Sequence, residues 1–394
     1  MQTRDVVILS GVRTAIGDYG GALKDVSPGQ LAAACVREAV NRSGLAPDQV
    51  GHLVFGNVIH TEPRDMYISR VAAIEGGLPD TVPALTLNRL CGSAMQAIVS
   101  AAQMIMLGDT DTAVAGGAES MSRAGYLVPA MRWGQRMGDG VMIDSMVGAL
   151  TDPFGNGHMG ITAENVAKRY NLSREDQDKL AVQSHARAAA AIAEGRFDSQ
   201  IVPVSVKTRK EVVQVVRDEH VRADVTLDSM AKLKPAFAKE GTVTAGNASG
   251  LNDGAGAVVL MEREAAAKRG QKPLARIVAY AHSGVAPEVM GLGPISAVKT
   301  ALAKAKLSVA DMDVIESNEA FAAQALAVSR DLDFNPARTN PNGGAIALGH
   351  PIGATGAIIT VKAAYELQRI KGKYALVTMC IGGGQGIALV LARE

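Results

Sequence analysis

The sequence predicts an α/β protein, a mostly parallel sheet flanked by helices, built as two similar halves around an inserted segment. Three observations carry that expectation. Short apolar runs alternate with helix-period segments from Val6 onward. The same strand–helix–strand grammar returns in the last third of the chain. Between the two, from about Ser120 to Asn247, the pattern changes.

The elements follow in order. Val6–Gly11 reads as a buried strand, Gly29–Arg42 as a helix and Leu53–Val58 as the next strand. Leu85–Leu87 is extended and breaks into a helix near Gly92, where Met95, Ile98, Val99, Ala102 and Ile105 fall at helical spacing. Gly108 stops that helix, and Thr112–Ala115 resumes as a strand expected to end in Gly116-Gly117. In the C-terminal part Arg276–Tyr280 reads as a strand, Ile295–Lys306 as a helix, and Met312–Glu316 as a strand followed by a helix from about Glu319. A turn-rich run, Asn340–His350, approaches a helix with Ile358, Val361 and Tyr365 on one face. The strand Tyr374–Met379 then ends in Cys380 and Gly382-Gly383-Gly384. Cys91 and His350 thus each precede a long helix that leads to a strand stopping in glycines.

Inside the insertion, Arg123–Asp152 is rich in Gly, Met and Pro with no clean period. Ser173–Ala193 reads as one or two polar, Ala-rich helices opening at the cap Ser173, with Asp176 three residues on. Ser205–Lys239 carries eight Lys/Arg against five Asp/Glu, either a face for an anionic ligand or a plain solvated surface.

Composition removes several functions. The 394 residues carry 40 Lys+Arg against 39 Asp+Glu, so no bulk charge recruits nucleic acid or an anionic membrane. With 47% apolar and 20% charged residues, disorder is excluded. Cys35, Cys91 and Cys380 are too few for a secreted disulfide framework and fit a reducing compartment. Only four strongly apolar residues follow the Met1–Asp5 start, too short a core for a signal peptide, and no run is expected to reach the ~18 residues of a membrane span. The expected location is cytoplasmic.

Four motifs carry chemistry. Cys91, in Asn88-Arg-Leu-Cys91-Gly-Ser93, sits at a predicted helix N-terminus, where unpaired amides favour a thiolate; the bland alternative is a structural cysteine. His350, beside Pro351, lies among Gly343, Gly344, Gly349, Gly353 and Gly356, a turn that would hold an imidazole for proton transfer near neutral pH or merely cap a helix. Cys380-Ile-Gly382-Gly383-Gly384 places a second thiol in a glycine-lined site suited to acid/base work, without the Gly-Lys-Ser/Thr of a phosphate loop. Asn318-Glu319-Ala320-Phe321 offers an amide for a developing oxyanion, or an ordinary cap. A zinc site from Cys91, His350 and Cys380 lacks ligand spacing. A papain-like Cys/His hydrolase would leave Cys380 and the Gly-His-Pro turn without a role.

Taken together these motifs resemble those of the thiolase family, and the resemblance runs from Val6 to Leu391. Asn88-x-x-Cys91-x-Ser93, Asn318-Glu-Ala-Phe321, Gly349-His350-Pro351 and Cys380-x-Gly382-x-Gly384 match its four active-site motifs in order. Length and ending are similar to the bacterial biosynthetic-type acetyl-CoA acetyltransferases, and Gly56–Met66 to the broad-specificity β-ketothiolases of polyhydroxyalkanoate synthesis. The resemblance implies two similar mixed-sheet domains in five α-β-α-β-α layers with an inserted loop domain. On that reading residues 1–119 with 248–272 form the N-terminal domain, 120–247 the coenzyme-A-binding and tetramer-forming insertion, and 273–394 the C-terminal domain.

It also implies roles. Cys91 is acylated and His350 activates it, while Cys380 exchanges the α-carbon proton. Asn318, through a water, and His350 form one oxyanion hole; the amides of Cys91 and Gly382 form the other. His158 and Met159 match the pantetheine-side segment, and Ser249 lies in the matching coenzyme loop Thr244–Gly250. Leu150, Arg222, Phe237, Ala320 and Phe321 fall at further coenzyme-contact positions. Ser317 departs from the family's usual Ala and would add a hydroxyl near the oxyanion water. The expected activity is a reversible, ping-pong acetyl-CoA C-acyltransferase. Its substrates and partners are acetyl-CoA, short-chain acyl-CoA and free coenzyme A, with no metal or other cofactor, in a homotetramer. A decarboxylating condensing enzyme would lack Cys380 in this ending, and a non-catalytic lipid carrier would have lost Cys91 or His350.

Overall fold

The computed structural model describes residues 4–394; Met1 to Thr3, where the first expected domain and the reading of the N-terminus begin, lie outside the described residues. One mixed sheet runs through the molecule, and most of its neighbouring strands pair antiparallel, against the expectation of a mostly parallel sheet. Its main path uses β1 (Val6–Thr14), β2 (His52–Gly56), β3 (Ala84–Leu87), β4 (Thr112–Ser120), β5 (Asn252–Glu262), β6 (Ala275–Gly284), β7 (Val314–Ser317), β8 (Tyr374–Ile381) and β9 (Gln385–Ala392). The order is β7-β8-β9-β6-β1-β5-β4-β2-β3.

That order contains the repeat. The series β2-β4-β5-β1 is parallel, antiparallel, antiparallel, and β7-β8-β9-β6 has the same three senses. The halves join where Val6–Ile8 of β1 pairs antiparallel with Ala275–Ile277 of β6. The chain leaves β4 at Ser120 and re-enters the main path at Asn252; between them only Ile201–Val202 joins the sheet, beside β1.

The main helices are α1 (Pro28–Ser43), α2 (Ser93–Leu107), α3 (Met159–Arg169), α4 (Arg174–Ala193), α5 (Gly293–Ala305), α6 (Ala322–Asp331) and α7 (Thr355–Ile370). α2 and α7 form the middle layer. Met95, Ile98 and Ile105 from α2 join Ala357, Val361 and Leu367 from α7 in one cluster with Val54, Leu260, Val377 and Leu389 from both half-sheets. α1 covers the other face of the first half-sheet through Leu31 and Val36, and α5 and α6 cover the second through Val298, Leu302 and Val328. Five layers result. Fully burying a side chain such as Ile98 contributes roughly 1.5–3 kcal/mol.

The stretch Leu90–Leu107 is long and apolar enough to cross a membrane, with mean hydropathy 1.5, contrary to the expectation that no run approaches that length. It is apolar on nearly every side because α2 lies between the two half-sheets. Gly116-Gly117 does not end its strand either; β4 continues to Ser120. A Cβ on Gly117 would lie 2.1 Å from the Gly353 carbonyl oxygen, so glycine marks a close backbone crossing inside the strand.

α4 is a single helix whose Ser173 Oγ accepts from Asp176 N at 3.0 Å, with the reciprocal bond also present. The 123–152 segment builds no core of its own. Trp133 and Met137 are both 90% exposed, beside exposed Tyr126, Leu127, Met131, Val141 and Met142.

Candidate active site

Cys91 rides on a turn between β3 and α2. Asn88 Oδ1 accepts from Leu90 N at 2.8 Å, while Ser93 Oγ accepts from Arg89 N at 2.8 Å and donates to the Leu90 carbonyl at 2.7 Å. These bonds hold Leu90 at φ 44°, a left-handed conformation costing a non-glycine residue about 1–2 kcal/mol. The turn carrying Cys91 is therefore strained and locally braced. The expectation of a thiolate favoured by the helix end fails for the resting protein. Burial pushes the Cys91 thiol up to about 11, Glu119 adds to the effect, and the amides of Gly382 and Cys91 oppose it.

His350 precedes α7 and is 5% exposed. Its backbone N–H donates to Asn252 Oδ1 at 2.9 Å. Nδ1 lies 2.6 Å from Thr355 Oγ1, and Nε2 has no protein partner. Burial lowers the ring's pKa to about 4, below the near-neutral value expected, so the imidazole is neutral at pH 7 and free to accept a proton.

Cys380 is the penultimate residue of β8, fully buried, and burial beside Cys91 pushes its thiol well above the ordinary range. The expectation of a thiol tuned to working pH is thus also corrected; in the resting protein it is protonated. Asn318 follows β7 at 2% exposure, and its N–H donates to the Thr378 carbonyl. Both polar ends of its side chain are buried without a protein partner. In a folded interior such an amide is costly unless something binds it. Ser317, the residue before Asn318, lines a separate cavity of about 370 Å³ with Arg187 and Asn340.

One cavity of about 480 Å³ brings Cys91, His350, Cys380 and Gly382 together. The same cavity is lined by His158, Met159, Leu150, Arg222, Phe237, Ser249, Ala320 and Phe321. Of the expected catalytic and coenzyme-contact residues only Asn318 is absent from the lining. His158 caps α3, its Nδ1 accepting from Gly160 N at 3.1 Å, and stacks on Phe237 at 4.8 Å between ring centres. Phe237 meets Phe321 edge-on at 6.1 Å. Ser249 N donates to the Ala320 carbonyl at 3.0 Å, tying the 244–250 loop to the loop after Asn318. Of the cations in Ser205–Lys239 only Arg222 reaches this cavity.

Sequence reasoning did not single out several residues. His220 lines the cavity, with Nδ1 2.5 Å from Asp18 Oδ1. Glu119 accepts from Val58 N, Ile59 N and Gly353 N at 2.9–3.1 Å, fastening the Asn57–Ile59 segment to the His350 loop. Nothing local marks Glu119 or Asn252, because each acts on a residue far along the chain.

Comparison with known proteins decides the family. The model described as "Thiolase, N-terminal domain" matches residues 6–264, and that described as "Thiolase, C-terminal domain" matches 271–393. The chain belongs to the thiolase family. This thiolase is 65% identical over 392 residues to the beta-ketothiolase BktB of Cupriavidus necator, covering 99% of this chain and 100% of the relative. It is 50% identical over 392 residues to an acetyl-CoA acetyltransferase of the same organism, covering 99% and 100% of the two chains. Among solved structures, the Bacillus anthracis acetyl-CoA acetyltransferase superposes with a TM-score of 0.98 at 47% identity, covering 100% of this thiolase and 99% of that chain. Human mitochondrial 3-ketoacyl-CoA thiolase in complex with CoA gives 0.96 at 45% identity, covering 99% and 98%.

Proposed function

We propose that this thiolase is an acetyl-CoA C-acyltransferase, a β-ketothiolase that condenses acetyl-CoA with a short-chain acyl-CoA reversibly through an acyl-Cys91 enzyme. The observation that carries the reading is the convergence of Cys91, His350, Cys380 and Gly382 on one largely apolar cavity. Two thiols, a neutral imidazole and an unpartnered amide meet the needs of thioester Claisen chemistry.

The resting protonation states set the order of events. Cys91 is a thiol and His350 a free base, so the imidazole takes the Cys91 proton as sulfur attacks the thioester carbonyl. The amides of Cys91 and Gly382, which already favour charge on the Cys91 sulfur, receive the oxyanion. Coenzyme A leaves carrying the proton from His350. In the second half, Cys380 passes its proton to His350 and removes one from the α-carbon of acetyl-CoA. Protonated His350 and the Asn318 amide, the latter through a water, hold the enolate oxygen. The carbanion attacks acyl-Cys91, whose departing sulfur regains a proton from His350, and Cys380 keeps the one taken from carbon. Protons and charge balance without a metal or redox partner.

His158, Met159, Leu150, Arg222, Phe237, Ser249, Ala320 and Phe321 contact coenzyme A on this reading, with 120–247 as the insertion carrying much of that contact between domains 1–119 plus 248–272 and 273–394. The exposed apolar side chains of Arg123–Met146 support a homotetramer, and light scattering near the single-chain 40.9 kDa would contradict it. Three unpaired cysteines support a cytoplasmic enzyme, and short-chain 3-ketoacyl-CoA metabolism, including polyhydroxyalkanoate supply, is the matching pathway. The direct test is coenzyme-A-dependent thiolysis of acetoacetyl-CoA, followed spectrophotometrically. Turnover supports the reading, and none from folded enzyme overturns it.

A further inference from the structure

We infer that Thr355 is a positioning residue for this reaction, its hydroxyl fixing His350 in the tautomer that leaves Nε2 as the base. The inference rests on the reading of His350 as the group that deprotonates Cys91.

Thr355 Oγ1 lies 2.9 Å from the Pro351 carbonyl and 2.6 Å from His350 Nδ1. A carbonyl oxygen only accepts, and a hydroxyl has one proton to give. That proton goes to Pro351, so Oγ1 turns a lone pair toward the ring. Nδ1 must then carry the imidazole proton and donate to Thr355, which leaves Nε2 unprotonated. Nε2 is the ring nitrogen without a protein partner, on a residue lining the cavity with Cys91 and Cys380.

The clamp is rigid. Thr355 is 2% exposed at the first position of α7, and its own backbone N–H also donates to the Pro351 carbonyl. A β-branched side chain has few rotamers in a helix, and this one is held by its i−4 carbonyl. Asn252 Oδ1 fixes the other end of the residue through the His350 backbone N–H. Which ring nitrogen of a histidine is protonated is set by the partner of the other, and here that partner is Thr355. Without the hydroxyl, a buried Nδ1–H has no acceptor, and the ring shifts its proton to Nε2. The base is then lost while its shape remains.

The test uses three variants of the full chain. Thr355→Val keeps the volume and removes the hydroxyl, Thr355→Ser restores it, and His350→Asn removes the base. Thr355→Val is expected to lower kcat for acetoacetyl-CoA thiolysis at least roughly tenfold, and by up to about 10⁴ if the ring settles fully in the wrong tautomer, with KM little changed. Iodoacetamide should alkylate Cys91 more slowly at neutral pH in this variant, recovering only as pH approaches the thiol's own ionisation. Thr355→Ser should retain most activity and the wild-type alkylation profile. Wild-type kcat and alkylation in Thr355→Val, with His350→Asn inactive, overturns this inference alone. Activity lost in step with thermal stability, and not rescued by Ser, overturns it by showing a structural role. An active His350→Asn enzyme overturns the underlying reading of the base.

Discussion

Gly382 is wedged against Leu90: a Cβ at 382 would lie 3.0 Å from Leu90 Cδ1, and 3.0 Å from Met159 Cε. The strained turn carrying Cys91 is thereby packed against the loop after Cys380, so residues nearly three hundred positions apart set one another's place.

Gly382→Ala should therefore disturb catalysis more than folding. The Met159 tip can move aside, but Leu90 rides on a backbone held at φ 44° by the bonds of Asn88 and Ser93, so a shift of its side chain presses on the turn that carries Cys91. Removing an oxyanion donor outright costs about 10²–10³ in kcat, and displacing one should cost roughly ten- to a hundredfold. Steady-state thiolysis alongside a melting curve checks this. Unchanged kcat/KM would show that the 382 amide takes no part.

Cys380→Ala should separate the half-reactions. Acylation of Cys91 by acetyl-CoA should survive, while exchange of the acetyl methyl protons with deuterated water should collapse. Equal loss of both would assign Cys380 to the fold or to the nucleophile.

His350 gives the protein a pH signature. Its folded pKa is depressed from 6.5 to about 4, so the unfolded chain binds the proton more readily. Stability from this group is complete above 6.5 and is lost as pH falls through the window down to 4, at most about 3 kcal/mol. Glu119 acts oppositely, because burial raises its carboxyl to about 8 and the folded state binds the extra proton. The difference in urea unfolding free energy between wild type and His350→Asn isolates the histidine. It should grow from pH 4 to 6.5 and then level off; a flat difference refutes the neutral buried ring.

Acyl length is read by the cavity wall. Met159 and Met290 line it, whereas Leu90 packs on Gly382 and is not in the lining. Methionine repacks around different shapes at small cost, and each buried methylene adds up to ~0.8 kcal/mol. Four- to six-carbon 3-ketoacyl-CoA substrates should show similar kcat/KM. A drop of more than about a hundredfold at six carbons, some 2.7 kcal/mol, unrelieved by Met290→Ala, would leave a strict acetoacetyl enzyme.

Much of this site was legible because its chemistry is local. Cys91, His350 and Cys380 each stand at the end of a turn whose small residues are adjacent in sequence. The capping pair Ser173 and Asp176 was legible for the same reason. Strands β5 and β9 were not anticipated. Gly254, Gly256 and Gly386 interrupt their apolar pattern, and Gly256 and Gly386 do so because neighbouring backbone and α7 approach closely. The protonation states of Cys91 and His350 were misjudged, since local sequence reports a helix end or a glycine turn but not depth of burial. Thr355, Asn252 and Glu119 act through tertiary contacts, and no spacing rule exposes them.

The central claim is that Cys91 carries the acyl group. Intact-mass spectrometry of wild type and Cys91→Ala after incubation with acetyl-CoA tests it most directly. The expected result is one added acetyl group on the wild type and none on the variant, with turnover abolished. An active Cys91→Ala enzyme that still gains one acetyl group would contradict it.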